Sequence, residues 1–134
     1  MGSNQGVVWN DSDFPLQYVI YGAFEEVYLA KRGASIDPKL NLNVAAGAIN
    51  LDGFRVEGEI ETNPRYAEAF VEVPPRRHSS VGLMDLRMNE HKISVRVKVG
   101  NFVKYLVKDV VIKSVRDMKL KVRYDLSIKN LADD

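Results

Sequence analysis

Residues 93–99 run Ile-Ser-Val-Arg-Val-Lys-Val, with an apolar side chain at every second position. That period of two marks a strand with one buried face and one wet face, because successive side chains leave a strand on opposite sides. Gly100-Asn101 follows as a two-residue turn opening with glycine, and residues 102–107 return along the hairpin. The same period recurs in Phe54, Val56, Gly58 and Ile60, which alternate with Arg55, Glu57, Glu59 and Glu61. It recurs again in Leu120, Val122, Tyr124, Leu126 and Ile128, which alternate with Lys121, Arg123, Asp125 and Ser127. On a helix such tracts would scatter their apolar residues around the axis, so the chain is committed to sheet.

Shorter signals fill in the rest. Residues 16–21 are β-branched and aromatic and read as a strand. Leu40, Leu42 and Val44 alternate with asparagines, and Ile49 and Leu51 lead into Asp52-Gly53, a strong hairpin signal. Residues 110–115 continue as a strand after Lys108-Asp109, with a turn near Arg116-Asp117. Residues 21–32 read as a short helix, acidic at Glu25 and Glu26, basic at Lys31 and Arg32, with Gly33 behind; a two-stranded hairpin is the alternative. Asn63-Pro64 reads as a cap and first turn for a second short helix over 65–70. Residues 74–80 read as a loop, and 81–88 carry no clear period. Together these signals predict a mainly β fold: an antiparallel β-sandwich or barrel of seven to eight short strands with one or two short helices. Residues 1–6 are expected to be a disordered N-terminus and 7–134 a single β domain.

The absence of cysteine excludes a disulfide scaffold, thiolate metal sites and a cysteine nucleophile. No run approaches the ~20 apolar residues of a membrane helix, and no secretory signal is visible, so membrane insertion is not expected. Asn10-Asp11-Ser12 matches a glycosylation triplet that, without such a signal, reads as chance.

Charge is divided along the chain. Residues 1–75 hold five Lys/Arg against eleven Asp/Glu, and 76–134 hold 14 against seven, so the halves carry −6 and +7. Such asymmetry points either to a partner or to halves that pair and neutralise each other within one domain.

Candidate chemistry is sparse. Glu57, Glu59 and Glu61 share one strand face at about 6.6 Å spacing, suited to an acid–base pair or a cation site, but their alternating context reads as a solvated face. His78 and His91 sit in polar, loop-like contexts without a partner motif. Neither a nucleophile elbow nor a glycine-rich phosphate loop is present. Arg76-Arg77-His78-Ser79 fits the pattern of two arginines before a serine that basophilic kinases favour, and otherwise reads as an exposed basic loop. Arg96 and Lys98 share one strand face, as do Lys121 and Arg123. If those strands are neighbours, the four charges form a basic patch, with Phe102, Tyr105 and Tyr124 near in sequence. Phe102 and Tyr124 fall in apolar register and are expected in the core with Val95, Val97, Val122 and Leu126, while Arg96, Lys98, Lys121 and Arg123 are expected outside.

The stretch from Lys104 through Tyr105, Asp109 and Ile112 to Val115, with the strand that follows to Asn130, resembles the last strands of bacteriophage tail-tube and baseplate proteins. The resemblance covers the final third of the chain. It implies a non-enzymatic building block, a small sandwich that polymerises into rings, and it assigns no functional residue. The expectation is therefore a structural protein without catalytic residues, cofactor or metal. It associates with itself or with other structural proteins through complementary surfaces at Arg76, Arg77, Arg96, Lys98, Lys121, Arg123, Glu57, Glu59 and Glu61. The alternative is a small β module that binds nucleic acid or another polyanion through its basic C-terminal half.

Overall fold

A computed structural model describes residues 6–22, 44–51, 53–61, 70–80, 91–112 and 119–130. Among these residues the chain is all β, in ten strands: β1 (Val7–Asn10), β2 (Leu16–Gly22), β3 (Val44–Leu51), β4 (Phe54–Glu61), β5 (Val71–Val73), β6 (His78–Ser80), β7 (His91–Val99), β8 (Phe102–Ile112), β9 (Lys119–Val122) and β10 (Ile128–Asn130). A four-stranded sheet has the order β10-β9-β1-β6, and a six-stranded sheet has the order β3-β4-β8-β7-β2-β5. Neither closes into a barrel among the described residues. Both contribute to one hydrophobic cluster: Val8, Leu120 and Val122 from the smaller sheet, and Leu16, Tyr18, Ile20, Val73, Ile93, Val95 and Val97 from the larger.

The strongest alternating tracts fold as their period predicts. β3 and β4 form a hairpin in continuous register from Val44↔Glu61 to Leu51↔Phe54, with Gly53 at φ 84 in the turn. β7 and β8 form the second hairpin, with Gly100 at φ 60. Glycine takes these left-handed conformations without the Cβ clash that any other residue meets. Val95, Val97 and Val122 are buried as expected.

Some expectations are corrected, and others fall outside the described residues. No helix occurs among the described residues; residues 21–22 extend β2, while 23–32 and 65–69 lie outside them. Residues 1–5 also lie outside, and Gly6 is buried. Not every pairing is antiparallel, because β1 runs parallel to β9 and antiparallel to β6. The supposed loop at 74–80 contains β6, and His91 opens β7 instead of lying in a loop.

The tract 120–128 is two strands. Arg123 N–H donates to Ser127 C=O (2.8 Å), Leu126 N–H donates to Arg123 C=O (2.9 Å), and Leu126 takes φ 67. Asp125 Oδ1 accepts from both Ser127 N–H (3.0 Å) and Ser127 Oγ–H (2.6 Å). An aspartate that bonds its own backbone two residues on makes a turn, and here it overrides the alternation. Tyr124 consequently stands at the turn, 73% exposed, and not in the core; Leu126 is half-buried against it.

β8 is bulged. Ile93 pairs with Val110, Val95 with Val107 and Arg96 with Tyr105, so β8 takes one extra residue in each step. Ser94 Oγ accepts from Asp109 N–H at 2.9 Å, where Asp109 sits at φ 54. A bulge flips the parity of the residues beyond it. Tyr105 therefore shares the face of Arg96, while Val107, two residues on, shares the face of Val95.

Candidate functional site

β7 lies fourth of six strands, and its second face is buried as well. Ser94 and Arg96 are as inaccessible as Val95 and Val97. Arg96, expected outside, has a side chain that is 0% exposed. Its Nη1 lies 2.5 Å from Glu61 Oε2 and its Nη2 lies 3.0 Å from Glu61 Oε1. Nε–H donates to Gln17 Oε1 (2.9 Å), and Nη1 also reaches the Tyr105 hydroxyl (3.2 Å). The Phe70 ring covers the guanidinium at 3.8 Å. The planar fork of arginine suits such bidentate pairing, and the aromatic face adds a cation–π contact. Glu61 is therefore a buried partner, not one of three solvated carboxylates. Glu59 is half-buried, with one carboxylate oxygen closed off from solvent and without a hydrogen bond, and Glu57 is exposed.

The remaining basic residues do not form the expected patch. β7 neighbours β8 and β2, whereas β9 neighbours β1 and β10, so Arg96 and Lys98 stand on a different sheet from Lys121 and Arg123. Lys98 is half-buried and its Nζ donates to Gly100 C=O (2.7 Å). Arg123 and Arg77 are exposed. Arg76 pairs with Asp13 at 2.6 Å, and Lys121 pairs with Asp11 at 3.1 Å. With Arg96–Glu61, all three ion pairs among the described residues join the basic half to the acidic half within one copy.

Two residues from these short motifs make structural contacts. Asn10 is 0% exposed: Nδ2–H donates to Phe14 C=O (2.7 Å) and Val73 C=O (3.0 Å), and Oδ1 accepts from Ser12 N–H (2.9 Å) and Ser12 Oγ–H (2.6 Å). A side chain so enclosed is no glycan acceptor in the folded chain. The Ser79 hydroxyl meets the Tyr18 hydroxyl at 3.0 Å, linking β6 to β2, and burial raises the Tyr18 phenol above its ordinary pKa despite that bond.

A third arrangement was not anticipated from the sequence. The registers of the smaller sheet align Lys129, Lys121, Trp9 and His78 in one row across β10, β9, β1 and β6. Lys119, Val7 and Ser80 form the next row. Val8, Leu120 and Val122 take the alternate positions and enter the core, so these two rows lie on the sheet's other face. Lys119, Lys129, His78 and Ser80 are exposed, and Trp9 and Lys121 are half-buried. The Trp9 and His78 rings lie 6.5 Å apart at an interplanar angle of 53°. The signal for this was Val7-Val8-Trp9, three strand-favouring residues close to the start of the chain.

Among the described residues, no group of three or more His, Asp and Glu gathers to hold a metal ion, and no helix is long and apolar enough to cross a membrane. No family model, curated protein or solved structure matches the chain.

Proposed function

We propose that this chain is a non-enzymatic structural module that associates with further copies of itself, a building block of the kind found in bacteriophage tail tubes and baseplates. One observation carries the reading: the outer strand β3. Edge strands present unpaired backbone donors and acceptors, and folds blunt them with short length, lysine, proline or bulges. β5, β6 and β10, the other outer strands, have three residues each. β3 has eight, Val-Ala-Ala-Gly-Ala-Ile-Asn-Leu, with no charge and no proline, in unbroken register with β4. Ala45 and Ala46 are exposed, and no described strand pairs with the far side of β3. A strand of this kind recruits another strand through its main chain.

The charged residues contribute less to this reading than their number suggests, because six of them are matched within one copy. Association through β3 is expected to persist as salt rises, whereas association through exposed complementary charge weakens, since screening acts over about 8 Å at physiological salt. Light scattering across protein concentration, at low and high salt, tests the proposal. Oligomers that survive high salt and are lost in Ala46→Lys, with an unchanged circular dichroism spectrum, are the expected result. A wild-type chain that stays monomeric at high concentration overturns it.

A further inference from the structure

We infer that the solvent face of the four-stranded sheet binds single-stranded nucleic acid, with Lys119 and Lys121 on the phosphates and Trp9 stacking a base. This site lies on a different sheet from β3, so the inference stands apart from the assembly reading.

The register supplies the geometry. Strands lie about 4.8 Å apart, so the row from Lys129 through Lys121 and Trp9 to His78 spans roughly 14 Å over three steps. Lys119 stands two residues from Lys121 on the same strand, about 6.6 Å away. Cations thus occupy one half of the face and rings the other. Lys121 and Lys129 stand directly opposite each other in the register. Asp11, the carboxylate paired with Lys121 in this row, is half exposed, as is its partner. Exposed pairs of that kind are weak, and a phosphate can take the place of the carboxylate.

The indole decides the class of ligand. Lysines alone would accept any polyanion, but a base also offers a flat π face. Trp9 lies on the side of β1 opposite the core residue Val8, half-buried beside His78. Cationic side chains tracking a backbone, next to an aromatic platform on a sheet, constitute a single-strand binding surface.

Trp9 is the only tryptophan in the chain, so its fluorescence reports on this face alone. The test titrates the whole protein with a short oligothymidylate at low salt, and in parallel with inorganic polyphosphate and with polyglutamate. Expected is quenching of Trp9 emission by the oligonucleotide and not by the two polyanions that lack bases. Lys119→Ala with Lys121→Ala, checked for an unchanged circular dichroism spectrum, should weaken binding several-fold. Log affinity against log salt should become shallower by roughly 0.7 for each lysine, the single-strand value. Emission that the oligonucleotide leaves unmoved, equal quenching by either control, or unchanged affinity in the double variant each overturns the inference.

Discussion

The Arg96 guanidinium faces the Glu61 carboxylate in a two-pronged pair, closed from solvent on both sides, and the Phe70 ring lies over it. The pair connects β7 to β4, two strands that β8 separates in the sheet. Burying both charges costs desolvation that their attraction offsets only because Gln17 and Tyr105 satisfy further donors.

Removing one partner should therefore be severe and removing both mild. Arg96→Met leaves the Glu61 carboxylate buried and uncompensated, and should cost about 3–5 kcal/mol in urea unfolding. Glu61→Leu with Arg96→Met should recover most of that loss. Arg96→Lys should not rescue, because an ammonium cannot make the bidentate contact. A double variant as unstable as the single one would show that the pair itself stabilises the fold.

Much of the sheet was legible from period alone, and the limits of that reading are physical. In β7 the alternation of Ile93, Val95 and Val97 with Ser94, Arg96 and Lys98 identified the strand and its core face correctly. It could not distinguish an arginine in water from one enclosed by Gln17, Glu61, Phe70 and Tyr105, because those partners come from distant positions. In residues 120–128 the alternation ran through the Asp125 turn, whose hydrogen bonds are local and leave the period of two intact. The row across the smaller sheet required knowing that β1 inserts between β9 and β6, a long-range pairing that no local pattern encodes.

Adjacent positions of β7 should separate core from rim. Val97→Ala removes two buried methyl groups and should cost on the order of 1–3 kcal/mol. Lys98→Ala removes a half-buried side chain bonded to Gly100 C=O and should stay within about 0.5 kcal/mol, as surface changes usually do. Chemical denaturation of the two variants measures the difference, and equal effects would invert the assigned faces.

Gly58 marks a close approach of β4 to β8. A Cβ there would collide with the Val103 carbonyl oxygen and stand 2.8 Å from the Phe102 ring. Gly58→Ala forces the two strands apart and should destabilise by roughly 1–3 kcal/mol, the usual cost of overpacking. A thermal midpoint unchanged from wild type would show that β4 and β8 are not so closely apposed.

Two carboxyls give opposite pH signatures. Hydrogen bonds from the Ser127 hydroxyl and backbone, with Arg123 nearby, hold Asp125 below the usual carboxylate range, whereas partial desolvation raises Asp109, on the exposed end of β8, above it. For Asp125 the fold favours the ionised form. Its contribution is present above the ordinary carboxylate pKa and is lost as pH falls through the lowered folded value. For Asp109 the fold favours the protonated form, so stability is present below the ordinary pKa and declines as pH rises through the raised value. Asp125→Ala should thus lower the thermal midpoint at neutral pH, with a gap that closes under acid as the wild-type turn also loses its carboxylate. Asp109→Asn keeps a residue type tolerant of positive φ and removes the charge, so it should match or exceed wild type at neutral pH and lose that advantage in acid. Melting curves of both variants across the acid range test the signs together. An Asp125→Ala gap that is independent of pH would mean that the β9–β10 turn does not depend on the ionised carboxylate.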